Sequence, residues 1–220
     1  MITLVIIGVI AAITVPTLII KHQKEETITR LKKSYSTIAQ TTQKAIADNG
    51  PIETWEIGED YSGQAAKDFF EKYLKPYLSI SRDCGLGTTS ECQYSYRYLN
   101  NNDSSSFANY IYRFYLQDGS LIGVFVTNTT RKMAGVFIDI NGQSKPNKMG
   151  RDLFSFIYYI NYPESSLSGK LLPYDNDYSI NNLLTCTGSS CCNKNASYAG
   201  GSCAAVIMKS GWTIPDGYPW

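Results

Sequence analysis

Histidine is almost missing from this chain: His22 is the only one in 220 residues. It stands at the edge of an apolar run, where an interfacial role suits it, and no Ser-His-Asp set can be built around it. No C-x-x-C pair occurs, which speaks against both a zinc site and a thiol redox motif. Glycines are dispersed and form no phosphate loop. Adjacent carboxylates such as Glu59 and Asp60 are of the solvated kind. Excess charge is missing too. Lys plus Arg number 20 against 19 Asp plus Glu, a net charge of +1, so there is no basic footprint for nucleic acid and no acidic tail. No internal repeat is visible. These absences leave no expectation of catalysis, and no nucleic-acid partner is expected.

The most telling absence is local. The first twenty residues, MITLVIIGVIAAITVPTLII, carry no charge at all, and Lys21, His22, Lys24, Glu25 and Glu26 follow at once. Twenty helical residues span about 30 Å, the thickness of a bilayer core. A cleavable signal would want a basic start, a shorter apolar core and small residues after it. Here nothing basic precedes the run, and Ala11-Ala12 lies inside it. A buried core helix is the other rival, but aliphatic character on every face suits lipid better. A retained membrane anchor is therefore expected over residues 1–20. Gly8 and Pro16 lie within it. A bilayer helix tolerates them when neighbouring helices re-satisfy the backbone, and a glycine admits close approach of another helix.

The helical pattern continues past the anchor. Ile28, Leu31, Tyr35, Ile38, Thr42 and Ala45 recur every three or four residues, one face of an amphipathic helix. Asn49-Gly50-Pro51 is a strong stop. One helix from the membrane to about residue 48 is expected, about 70 Å long. A span followed by a separate surface helix is the alternative.

Two features carry a family resemblance: the segment IIGVIAAITVPTLI and the long helix behind it. The segment resembles the N-terminal helix of type IV pilins and type II secretion pseudopilins, which combine an aliphatic stretch, a glycine, small residues and a proline. The resemblance is specific over residues 2–20 and weaker over the next thirty. It implies that Ile2, Leu4, Ile7, Gly8, Ala11, Ala12 and Pro16 form a filament and membrane helix. The family's leader, cleavage-site glycine, phenylalanine and glutamate are not in the sequence. Aligned on Gly8 and Pro16, the phenylalanine belongs six residues before Met1 and the glutamate two before it. The chain is then truncated, starts too late, or is not processed; a truncated N-terminus is the expectation, with a prepilin peptidase acting on the full precursor.

Six cysteines, Cys84, Cys92, Cys186, Cys191, Cys192 and Cys203, allow fifteen full pairings. Cys84 with Cys92 would close a short loop, and the other four would tie the C-terminal region, adjacent Cys191 and Cys192 taking different partners. Disulfides imply an oxidising compartment. Lys21, Lys24, Arg30, Lys32 and Lys33, just after the span, argue for the opposite orientation. The cysteines decide for an extracytoplasmic domain.

The expected fold is α+β and pilin-like: a long N-terminal helix, half membrane-spanning (1–20) and half amphipathic (21–50), packed on an antiparallel β-sheet within a globular domain (51–220), with a disulfide-tied C-terminal region. A helix is expected over 64–78 and strands over 94–99, 107–117, 120–128, 133–141 and 152–159. Asp118-Gly119 is a hairpin turn signal. A last helix is expected over 202–209. Seventeen tyrosines serve strands and, in part, contact surfaces. Trp212, Tyr218 and Trp220 either pack on the sheet or form a docking patch.

One loop could hold an ion. Asp139, Asn141, Asn147 and Asp152 are oxygen donors in a stretch that looks like a late loop of pilin-like proteins, some of which hold calcium there. Lys145, Lys148 and Arg151 oppose a divalent cation, and the stretch lacks the EF-hand pattern. In the plainer reading the loop shapes turns and Asp152 caps it. No other cofactor is expected.

The functional expectation is a structural subunit of a type IV pilus or type II secretion pseudopilus, held by membrane lipid in the bacterial inner membrane and then by other pilins at the pilus or cell surface. The alternative is a single-pass, membrane-anchored extracytoplasmic binding protein that does not polymerise.

Overall fold

The computed structural model describes residues 2–86, 92, 95–103, 110–127, 132–161 and 166–220, with side chains from Thr14 onward. Helix α1 (Ile2–Asn49) is unbroken through Pro16. Beside that proline the Thr17 hydroxyl donates to the Thr14 carbonyl at 2.8 Å. The expected stripe is the packed one: Leu31, Ile38, Thr42 and Ala45 are buried, and Ile28 and Tyr35 pack at its margin. Gly50, in the left-handed region at φ +81°, ends the helix by donating its N–H to the Ile46 carbonyl.

Six antiparallel strands form one sheet in chain order: β1 (Ile80–Leu86), β2 (Tyr112–Leu116), β3 (Leu121–Thr127), β4 (Lys132–Asp139), β5 (Leu153–Asn161) and β6 (Lys170–Pro173). The register sorts side chains by period two. Val124, Val136 and Phe156 lie in one row, as do Ile122, Ile138 and Phe154. This is the face under α1: Tyr35 stacks on Phe156 at 4.9 Å, and Thr42 meets the Tyr158 hydroxyl at 2.8 Å. Helix α2 (Gly63–Phe69), capped by Ser62, runs into a π-helical turn and a last tight turn at Pro76. Its Phe70 stacks against Tyr112 and Phe114, while Trp55 lies flat on Tyr73 at 4.4 Å. On the opposite face Ser189, Ser190, Tyr198 and Gly201 of the C-terminal region lie near Phe125, Phe137 and Ile157. That region also holds α3 (Ile180–Thr185) and α4 (Cys203–Lys209), and α4 packs on β5 and β6. With both faces covered, β3 is buried at every position, so its pattern is a continuous apolar run.

The disulfides are Cys84–Cys92, Cys186–Cys191 and Cys192–Cys203. The short loop and the split partners of Cys191 and Cys192 are those expected. Each closes a short loop and so removes a few kcal/mol of unfolded-state entropy, about 3 for a loop near fifteen residues.

The strand expectations need correction. Residues 95–99 form no strand; Arg97 makes isolated bridges to Asp103 and Lys148, because this segment packs beside the 139–152 loop and not along a strand edge. Tyr94 lies outside the described residues. The strand expected over 107–117 is only Tyr112–Leu116, with 107–109 outside the described residues. Edge strand β6 was not anticipated, and neither was edge strand β1. Its sequence, ISRDCGL, is polar and bulged, and it is held to β2 by the Ser81 hydroxyl on the Leu116 carbonyl and by the Tyr112 hydroxyl on Asp83 at 2.7 Å.

Among the residues whose side chains are described, no helix is long and apolar enough to cross a membrane. The charge-free run contributes only residues 14–20 to that description. The side chains of Ile2, Leu4, Ile7, Gly8, Ala11 and Ala12 lie outside the described residues.

Candidate functional site

The packed half of α1 uses small and hydroxyl-bearing residues as well as aliphatics. Ser34 and Thr41 are buried beside Leu31 and Ile38, which lets the helix sit close to the sheet. Upstream, the described residues 14–22 of the helix are all exposed. Val15, Leu18, Ile19 and Ile20 are among the most exposed large apolar side chains described, Leu18 at 64%. Pro16 belongs to this free stretch. A run of exposed aliphatics on one rod is what an apolar environment or a neighbouring helix covers.

The change from free to packed helix has a definite place. Lys24 of α1 lies 5.9 Å above the Trp220 ring, and the Arg151 guanidinium lies 4.0 Å from that ring. Trp220 thus ties α1 to the 139–152 loop through two cation–π contacts. Burial pulls the Arg151 pKa below its usual value. Between loop and helix lies an open cavity of about 370 Å³, lined by Glu26, Arg30, Lys145 and Arg151 among others, with Glu26 paired to Arg30 at 2.7 Å. Tyr218 is buried and donates to the Gly150 carbonyl at 2.6 Å; Trp212 sits 5.5 Å from Tyr35. All three C-terminal aromatics named from sequence therefore make packing contacts.

The loop does bring Asp139, Asn141, Asn147 and Asp152 into one turn system. Asp152 is its hub: Oδ2 accepts the Asn147 N–H at 2.7 Å and Oδ1 the Lys148 N–H at 2.6 Å. Burial raises its pKa, although these bonds pull the other way. Asp139 Oδ1 accepts the Asn141 N–H. The Asn141 and Asn147 side-chain oxygens are buried and accept no hydrogen bond.

As a calcium site the set fits poorly. Both Asp152 oxygens are engaged by backbone, and Lys148 is pushed below its usual pKa by burial and by Lys194, Arg151 and Arg97 nearby. That positive neighbourhood opposes a divalent cation. Among the described residues no three His, Cys, Asp or Glu side chains group as metal ligands.

Sequence reasoning missed the role of Trp220 as the clasp on α1. No local signal could have found it, since no sequence period relates Trp220 to Lys24 or Arg151.

A family model matches residues 17–220. No curated protein and no solved structure matches the chain. The family match takes in the packed half of α1, the sheet and the disulfide-tied end, and on that extent the chain belongs to the family of unknown function DUF6613.

Proposed function

We propose that this protein is a structural subunit of a filament of the type IV pilus or type II secretion pseudopilus kind. The observation that carries this is the division of one 48-residue helix into a packed half on a six-stranded antiparallel sheet and a free half that exposes Val15, Leu18, Ile19 and Ile20. The free half would lie in the inner membrane before assembly and among its copies in other subunits afterwards. Fully burying a leucine or isoleucine side chain is worth about 1.5–3 kcal/mol, so a few such residues per subunit stabilise a helical core. The sheet and its disulfides would form the extracytoplasmic shell, where oxidation is permitted. Partners in this reading are membrane lipid, further pilin-like subunits and a prepilin peptidase. No catalytic role is assigned.

The test is expression from the full native reading frame in cells with a prepilin peptidase, followed by shearing, microscopy of the sheared fraction and mass analysis of the mature N-terminus. Processed, methylated protein in filaments is the expected result. Leu18→Lys with Ile19→Lys should abolish filaments without lowering the melting temperature of the domain, because both side chains contact solvent in the free subunit. Unprocessed protein that stays monomeric in the membrane would overturn the proposal and leave the anchored binding protein.

A further inference from the structure

The sheet face turned away from α1 is incompletely filled. Between it and the C-terminal region lies a half-open cavity of about 370 Å³. Its floor is apolar: Phe125 and Phe137 stack at 5.1 Å, with Met133 and Ile157 beside them. Phe125 can lie flat because the neighbouring strand offers Gly135, where any Cβ would strike its ring. Two edge-to-face tyrosine pairs complete the lining, Tyr61 with Tyr110 at 5.1 Å and Tyr98 with Tyr198 at 5.4 Å. The four rings form one cluster, and burial, with the Tyr61, Tyr98 and Tyr198 phenols near it, pushes the Tyr110 pKa up to about 12.

Two of these tyrosines are costly to keep. Tyr61 and Tyr198 occupy the left-handed region at φ +49° and +52°, and each remains about half exposed, 51% and 54%. A bulky side chain in that region is an outlier, and such strain costs about 1–3 kcal/mol. Glycine would make either turn without strain. Half-exposed rings recover little of the cost by burial within the chain, so contact with something outside it accounts for them better.

The lining specifies the ligand chemistry. Of the fifteen described residues that line it, none is charged and none carries an amide side chain; five tyrosines, three serines and one threonine bring hydroxyls. Phosphate, carboxylate and ammonium groups would enter without a counter-charge. A hydrocarbon tail would set its surface against a wall rich in hydroxyls. An uncharged sugar ring has both required faces. Its hydroxyls donate and accept like those of Ser, Thr and Tyr, and its C–H face lies on aromatic rings. The volume is near the lower end of small-molecule sites, ~300–1,000 Å³, which suits one or two rings better than an extended peptide. We infer that this cleft is a binding site for the end of an uncharged saccharide, held between the Phe125–Phe137 floor and the Tyr61 and Tyr198 rings. None of the described lining comes from α1, the helix that carries the proposed filament contacts.

The experiment is saturation-transfer NMR on the full chain in phosphocholine micelles, which carry no sugar headgroup, with cellobiose, lactose, maltose and diacetylchitobiose at millimolar concentrations and decaproline as the peptide probe. At least one disaccharide should receive saturation, and Tyr61→Gly with Tyr198→Gly should weaken it at least about tenfold. The same double variant should melt no lower than the parent, since glycine relieves both strained positions; this separates lost recognition from lost folding. The inference is overturned if none of the four sugars receives saturation. It is equally overturned if the variant, still folded, binds them as well as the parent does. Transfer to decaproline alone would replace the saccharide with a proline-rich peptide.

Discussion

Tyr158 donates its buried hydroxyl to Thr42, because Thr42 Oγ1 has already given its own proton to the Ile38 carbonyl at 2.8 Å. This bond, between residues 116 positions apart, joins the middle of α1 to the middle of the sheet. Burial pushes the Tyr158 phenol up, so it stays neutral and able to donate.

The pair predicts an asymmetry. Tyr158→Phe removes a donor but leaves Thr42 bonded to Ile38, and should cost about 1 kcal/mol. Thr42→Val leaves the Tyr158 hydroxyl buried without an acceptor, and should cost about 1–3 kcal/mol. Urea unfolding of the two variants measures the order. Equal costs would mean that Tyr158 finds another acceptor.

Asp152→Asn should loosen the 139–152 loop. An amide keeps one acceptor oxygen and turns an NH2 toward the second backbone N–H, where the carboxylate now accepts from both Asn147 and Lys148. Hydrogen bonds to a charged group are worth about 1.5–3 kcal/mol, and a loss in that range is expected. Amide exchange at Asn147 and Lys148 should rise with it. Unchanged exchange would show that the turn holds itself.

Asp175 predicts a pH effect of definite sign. Burial, and secondarily the Asp177 charge, push its carboxyl from the ordinary 3.8 up to about 7. The folded protein therefore keeps a proton that the unfolded chain loses between pH of about 4 and about 7. Protons bound more tightly in the folded state make stability fall as pH rises through that window. Asp175→Asn should remove this slope. The difference in melting temperature between variant and parent should grow in the variant's favour up to about pH 7 and then level off. Any effect of asparagine on the left-handed backbone at φ +59° would be constant with pH. A difference that does not change with pH would refute the assignment.

Gly135→Ala should be costly out of proportion to one methyl group, since the new Cβ would meet the Phe125 ring directly. Overpacking of this kind costs about 1–3 kcal/mol. Phe125→Leu should recover part of it, and a double-mutant cycle by thermal melting would show coupling between the two positions. Additive costs would mean that Phe125 does not rest on Gly135.

The parts of this protein legible in sequence are those with local causes. The α1 stripe from Ile28 to Ala45 follows from the helical period, and its end from what Asn49, Gly50 and Pro51 do to a backbone. Strands β3 to β5 are long and apolar enough to declare themselves, and the turn at Asp118-Gly119 carries its own geometry, with Gly119 at φ +84°. The loop of Asp139, Asn141, Asn147 and Asp152 was visible as a group because its members lie close in sequence. Whether Asp152 would serve an ion or the backbone was not, since that depends on which N–H groups the turn directs at it.

What tertiary structure alone decided is everything that needs two distant segments. The strand β1 exists because Ser81 and Asp83 are bonded to the β2 edge, not because ISRDCGL prefers to be extended. Trp220 became the clasp on α1 only when chain folding placed it between Lys24 and Arg151. The tyrosine cleft assembles Tyr61, Tyr98, Tyr110 and Tyr198 from four separate loops, and no periodicity relates them. Sequence by itself determined the helix, most of the strands and the chemistry available to each loop, because backbone preference and side-chain period act over a few residues. Packing of one sheet face by α1 and of the other by the disulfide-tied C-terminal region decided which side chains meet, because burial and hydrogen bonding act through space.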